Sequence, residues 1–158
     1  MNFYMRITII FLIVMILSII PLPDWADIAR PAFVFMVWIY LRIFMPERFS
    51  LFFLVLNGIL LDCLLYTPIG MHSFAMLLSL WLINARARRF VFFNLVQQML
   101  LVFSLTVFYL FLLLGAHLFM GNYINAMQPF FIGVSTALVW PWLKVTLDDS
   151  LRRVKLTA

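Results

Sequence analysis

Six apolar stretches divide the chain, at 3–20, 31–45, 49–65, 71–83, 90–119 and 125–147, with polar residues gathered in the short gaps between them. The gaps alternate in charge. If each stretch crosses a bilayer as a helix, Arg6, Arg42, Arg48, Arg86, Arg88, Arg89, Lys144, Arg152, Arg153 and Lys155 all fall on one side, and Arg30 alone falls on the other. Basic residues in short loops stay on the cytoplasmic side of a membrane. Hydropathy and charge are independent features of a sequence, and here both predict one arrangement. It is an all-α polytopic membrane protein of six transmembrane helices, with N and C termini cytoplasmic.

The stretches differ in quality. About 20 apolar residues are needed to cross a hydrocarbon core about 30 Å thick. The second stretch is short unless Arg42 snorkels to the inner surface. The fourth is short unless Asn84 and the arginine stems of Arg86-Ala87-Arg88-Arg89 are counted. The fifth is overlong, so it either tilts strongly or opens with an interfacial turn around Asn94, Gln97 and Gln98. Splitting it into two antiparallel helices would strand Lys144, Arg152, Arg153 and Lys155 outside, which makes six the better count. The basic start before the first stretch is reminiscent of a secretory signal, but Pro21-Leu22-Pro23-Asp24-Trp25 offers no small-x-small cleavage site. That stretch is expected to stay as a helix, and 1–158 to form a single membrane domain.

Composition leaves little room for another class. The chain is 66% hydrophobic and 11% charged, against about 45–50% and about 25% in soluble domains. The net charge of +5 would point to nucleic acid in a soluble protein. In this chain it reads as orientation signal plus attraction to anionic membrane lipids, with no nucleic-acid partner. A single cysteine, Cys63, excludes an intrachain disulfide.

Polar residues inside the stretches are the candidates for chemistry. Asn57, Gly58 and Asp62 lie four or five positions apart and so share one helix face. A carboxylate in a transmembrane helix costs about 2.5–3.5 kcal/mol even on the lenient insertion scale, and it faces the bundle interior with a partner. Two readings of Asp62 stand open: a proton or substrate site, or a structural anchor that pairs with a base or caps a neighbouring helix. Gly58 on that face allows another backbone to approach closely. Arg30, the basic residue that defies the charge bias, is the expected partner of Asp62.

Proline and glycine mark the architecture. Pro21 and Pro23 close the first helix, and Pro31 is placed in the first turn of the second. Thr67-Pro68-Ile69-Gly70 predicts a tight turn between the third and fourth helices, with Gly70 free to take a positive φ. Pro141, in Trp140-Pro141-Trp142, is expected to kink or split the last helix, and its flanking tryptophans suit an interfacial belt.

Together these residues carry a resemblance. Asp24 to Arg30-Pro31, then Asn57-Gly58-Ile59-Leu60-Leu61-Asp62, then Pro68-Ile69-Gly70-Met71, and Trp140-Pro141-Trp142-Leu143 before a basic tail, resemble in order the MreD family of rod shape-determining membrane proteins. The likeness spans nearly the whole chain. It implies a fold similar to the six-helix substrate-binding subunits of energy-coupling-factor transporters, a place in the bacterial inner membrane, and a non-catalytic scaffold of the cell-elongation machinery. It implies binding to MreC, whose single transmembrane helix and periplasmic domain regulate the peptidoglycan synthases of elongation. The wider assembly includes MreB, RodZ, RodA and a class B penicillin-binding protein. Arg30, Pro31, Gly58, Asp62, Gly70 and Pro141 match family motifs, and Asn57 and Pro68 join them as structural or partner-binding candidates. A homodimer is left open.

Catalysis finds no support in the residues, and no cofactor is implied. His72 and His117 lack companions at metal-ligand spacing. Ser73, Ser79, Ser104 and Ser135 have no evident base, and no phosphate-binding glycine loop exists. The competing function is a substrate-binding membrane subunit of a small-molecule (vitamin-type) transporter, using Asp62 and the last helix to hold a small polar ligand. A channel or flippase would need cavity-lining charges or repeats that the sequence does not display. For a scaffold, faces of small residues are the expected docking surfaces: Gly58, Ala75 and Ser79, or Gly133, Ser135 and Ala137.

Overall fold

A computed structural model describes residues 3–21, 23, 29–46, 50–84, 92–121 and 126–152, and among these it contains six α-helices and no strand. They are α1 (Phe3–Ile19), α2 (Phe33–Phe44), α3 (Leu51–Leu65), α4 (Met71–Asn84), α5 (Leu95–Phe119) and α6 (Gln128–Arg152). Each predicted stretch corresponds to one helix, although α4 runs one residue and α6 five residues past the predicted ends. Of the basic residues that carried the charge pattern, Arg48, Arg86, Arg88, Arg89, Arg153 and Lys155 lie outside the described residues, as do Asp24 and Trp25.

Helix ends follow local chemistry. Ser50 opens α3 by accepting a hydrogen bond from the Phe52 amide at 3.2 Å, the usual work of an N-cap serine. The overlong fifth stretch shortens because α5 starts at Leu95, where the Asn94 amide donates to Gln97 Oε1 at 3.3 Å. Pro31 is not in the first turn of α2. That helix starts two residues later, the Phe33 amide bonding the Pro31 carbonyl at 2.9 Å and the Ala32 amide bonding Thr136 Oγ1 of α6 at 3.1 Å. Pro141 does not split the last helix, which runs through it to Arg152.

At 25 residues each, α5 and α6 are about 37 Å long, and by length and apolarity these two could cross a membrane. The other four hold 17, 12, 15 and 14 residues. Packing explains why the shortest is tolerated. Helices α1, α3, α4, α5 and α6 touch in sequence as a closed ring, and α2 fills the middle, packed on α1, α4, α5 and α6. All eight residues from Val34 to Leu41 are buried, whereas an amphipathic helix would bury only a stripe. Aromatic rings tie this hub to its neighbours. Trp38 lies 5.3 Å from Phe11 of α1 and 6.0 Å from Phe53 of α3, and Phe35 stacks on Tyr109 of α5 at 4.4 Å.

The ring's outward surface is apolar, as a lipid-facing surface must be. Leu12 and Ile16, Phe52 and Leu60, Phe74 and Trp81, Leu100, and Leu138 and Trp142 are all exposed. The small-residue faces expected to dock a partner point inward instead. A Cβ on Gly58 would stand 2.6 Å from the Ser73 Cα, and one on Gly133 would stand 2.7 Å from Val107 Cγ2. Ala75, Ser79 and Ala137 are buried, and Ser135 is half-buried. Close packing of small residues is what joins helices in lipid, and these positions are used to join α3 to α4 and α5 to α6.

Candidate functional site

The two ends of the bundle differ in chemistry. One end collects polar groups from the start of α1 and α5 and the end of α2 and α6. Arg6 donates to the Ser150 carbonyl at 2.9 Å, Lys144 donates to Gln98 Oε1 at 2.9 Å and rides 5.3 Å from the Phe44 ring centre, and Tyr40 donates to Asp148 Oδ1. Arg42 stands half-buried in the last turn of α2 at this same end. The described basic side chains that the charge pattern assigned to one side are therefore gathered together.

The opposite end holds Asp62, and it is the centre of the candidate site. Asn57, Gly58 and Asp62 share the buried face of α3, as their spacing predicted. Asn57 serves its own helix, donating to the Phe53 carbonyl at 2.9 Å. Asp62 is wholly buried and reaches forward across the turn. Its Oδ1 accepts from the His72 amide at 3.0 Å, from His72 Nδ1 at 2.6 Å and from Thr67 Oγ1 at 3.0 Å, while Oδ2 accepts from the Gly70 amide at 2.7 Å. The first amides of a helix have no partner within it, and a negative charge there is stabilised by the helix dipole. Asp62 thus caps α4.

The turn is shaped to permit this. Tyr66 adopts the left-handed conformation at φ 55°, the Thr67 amide closes on the Asp62 carbonyl at 3.0 Å, and Gly70 takes φ 96°. Pro68 is exposed at the tip, its carbonyl accepting from the Met71 amide at 3.2 Å. Ser73, the next residue of α4, donates to the Val55 carbonyl at 3.0 Å and lies against Gly58.

The expected Arg30–Asp62 pair is not formed. The Asp62 carboxylate is engaged by Thr67, Gly70 and His72, and Arg30 turns to the end of α1, where Nη1 donates to the Ser18 carbonyl at 2.6 Å and Nη2 to the Ile20 carbonyl. The physical reason is symmetrical. A cation is stabilised by the orphan carbonyls at a helix C-terminus just as an anion is by the amides at an N-terminus. Each charge has found a helix end in place of the other. His72, for which the sequence suggested no companion, is the partner that Asp62 takes. Its signal was its position ten residues after an acid, across a proline–glycine turn.

At this end lies a cavity of about 300 Å3 walled by α2 to α6 and by Ser18 of α1, with Arg30, Pro31, His72, Tyr109 and Gln128 among aliphatic and aromatic side chains. A second space of about 160 Å3 adjoins it, sharing Gln128 and Ile132 and adding His117. Among the described residues no three of His, Cys, Asp and Glu come together as a metal site. Asp62 and His72 form a dyad with the Thr67 hydroxyl beside both, 3.3 Å from His72 Nδ1, and this geometry holds the turn and orients the imidazole.

A family model described as rod shape-determining protein MreD matches residues 1–148. The chain belongs to the MreD family. A rod shape-determining protein MreD from Haemophilus influenzae is 23% identical over 146 residues, which cover 92% of this chain and 90% of that relative. No solved structure matches. MreD membership supports a role in rod shape determination, agrees with the apolar helices of a membrane protein, and brings no indication of catalysis. Arg30 and Pro31 border the cavity, Asn57, Gly58, Asp62, Pro68 and Gly70 build the α3–α4 hairpin, and Pro141 lies half-buried in α6.

Proposed function

We propose that the chain is a non-catalytic membrane scaffold of the cell-elongation machinery. It crosses the bacterial inner membrane six times as a single domain, 1–158, with both termini in the cytoplasm, and it docks MreC. Through MreC it helps to position and regulate lateral-wall peptidoglycan synthesis, within reach of MreB, RodZ, RodA and a class B penicillin-binding protein. The observation that carries this reading is the state of Asp62. The carboxylate best placed to relay a proton or hold a substrate has both oxygens engaged by Thr67, Gly70 and His72. A side chain consumed in this way fixes the shape of the protein, which is what a scaffold requires.

Since the faces of small residues are used inside the bundle, the partner helix meets the lipid-facing surface. Photo-crosslinking from Leu12, Leu60, Trp81, Leu100 and Leu138, one on each of the five ring helices, tests this in native membranes. The expected result is capture of MreC from one or two adjacent helices. No MreC adduct from any of the five would refute the docking. The second reading, a substrate-binding subunit like those of energy-coupling-factor transporters, is favoured by the 300 Å3 cavity. It requires transport of a small molecule to fail when the gene is deleted, while cell shape is kept. Loss of rod shape with normal uptake would exclude it.

A further inference from the structure

The cavity at the α3–α4 end has features that bundle packing does not explain. Its volume of about 300 Å3 is at the lower edge of the range of small-molecule sites. Two residues on its wall are more than nine-tenths buried, and each carries a polar atom that no described residue engages: the Tyr109 hydroxyl and Nε2 of His72. Both are held rigidly. Tyr109 stacks on Phe35 at an interplanar angle of 14°, and Asp62 grips His72 through Nδ1 at 2.6 Å. A carboxylate bound to one ring nitrogen fixes the imidazole and leaves the other nitrogen to meet a ligand. Both atoms open onto the cavity, on a wall that is mostly apolar, where an occupant can take up their hydrogen bonds.

The wall also specifies the chemistry. With Nδ1–H given to Asp62, Nε2 accepts a hydrogen bond. The Tyr109 hydroxyl donates one, and the guanidinium of Arg30 brings positive charge to the same wall. Leu61, Met76, Leu110 and Leu113 supply apolar surface. The complement is an oxyanion beside a hydroxyl on an apolar body. We propose that the cavity binds a glycerophosphate-type group, with the Tyr109 hydroxyl donating to the phosphate, His72 Nε2 accepting from the adjoining hydroxyl, and Arg30, held by the Ser18 and Ile20 carbonyls, lending positive charge to the wall. The group comes either from the headgroup of an anionic phospholipid or from a free glycerol phosphate. This site is independent of the scaffold reading and would exist on a transporter subunit as well.

The test uses the full chain in phosphatidylcholine nanodiscs, with three additions compared: none, phosphatidylglycerol in the bilayer, and sn-glycerol 3-phosphate in solution. Native mass spectrometry reads the bound species and thermal unfolding reads the gain in stability. Binding of phosphatidylglycerol alone assigns the lipid source, and binding of sn-glycerol 3-phosphate assigns the soluble source. Either result upholds the site if Tyr109→Phe, which keeps the ring and removes the hydroxyl, weakens it about five- to tenfold and Ile132→Trp, which fills the cavity, abolishes it. The proposal is overturned if neither compound binds. It is equally overturned by unchanged binding in Tyr109→Phe or Ile132→Trp. If Ile132→Trp blocks MreC capture while neither compound binds the parent, the cavity belongs to a protein chain instead.

Discussion

Gly58 is where the close fit of α3 and α4 can be tested most directly. In Gly58→Ala the new methyl would lie 2.6 Å from the Ser73 Cα and 2.8 Å from its backbone nitrogen, where 3.4 Å is ordinary contact, so α3 and α4 must part by about 0.8 Å. The obstacle is backbone, which cannot swing away as a side-chain tip can. Parting the hairpin also strains the Ser73–Val55 bond and the His72 and Gly70 bonds to Asp62. Overpacking costs about 1–3 kcal/mol, and the loss of hydrogen-bond geometry puts this case at the upper end, about 2–3 kcal/mol. By the scaling for domains of 150–250 residues that lowers Tm by roughly 4–12 °C. Gly115→Ala is the internal control, because a Cβ there meets nothing within 4 Å and alanine is the better helix former by about 1 kcal/mol. Its Tm should stay level or rise slightly. Gly133→Ala, opposed by the Val107 and Phe103 side chains, should fall between the two. The assay is thermal unfolding of the purified protein in one detergent, followed by tryptophan fluorescence. A Gly58→Ala melt within about 1 °C of the parent, or equal losses at Gly58 and Gly115, would refute the reasoning.

Three more outcomes follow from the geometry. In double-mutant cycles read by the same melts, Asp62→Asn should couple to His72→Gln by at least about 1 kcal/mol and to Arg30→Gln by less than about 0.5 kcal/mol; the reverse order would restore the long-range ion pair. Tyr40→Phe at the other end of the bundle removes a hydroxyl given to Asp148 and should cost about 1.5–3 kcal/mol, as hydrogen bonds to charged groups do; a neutral effect on the melt would mean that the bond contributes nothing. Neutralising Arg86, Arg88 and Arg89 together should disturb membrane orientation, scored by reporter fusions, before it disturbs partner capture. Normal orientation with capture lost would give those arginines a docking role.

How much of this could be read from the sequence depends on what kind of signal each feature leaves. Helix number and place were legible, because apolar stretches punctuated by charge need no knowledge of tertiary contacts. The role of α2 was not. In a bilayer both lipid and protein interior are apolar, so a helix buried on every side and one facing lipid have the same composition, and shortness, which the fourth stretch shared, did not single out the hub. Asp62 was legible as an anomaly, but its partner was sought by charge and depth, while the answer lay in sequence order. Three of its four hydrogen bonds go to backbone amides or to a hydroxyl within ten residues. The small residues were rightly read as contact points and wrongly assigned to a foreign helix, since close approach alone does not say whose backbone approaches.

The length of the α3–α4 hairpin gives these observations a common cause. At 15 and 14 residues its helices measure about 21–23 Å, well short of a hydrocarbon core about 30 Å thick and of α5 and α6 beside it. In the proposed six-span arrangement its turn lies deeper in the membrane than the ends of the longer helices. Non-helical backbone is tolerated at such depth only where protein groups take over the hydrogen bonds that water would have made. The amides of Gly70 and His72 need an acceptor there, a neutral side chain offers one oxygen, and a carboxylate offers two that carry charge toward the positive end of α4. In that arrangement Asp62 does the work of solvent for the amides that open α4, and Arg30 does the same for the carbonyls that end α1. The rule that an ionisable residue in a membrane marks a functional site has a structural counterpart here. Where helices are shorter than the membrane, charge is needed to finish them.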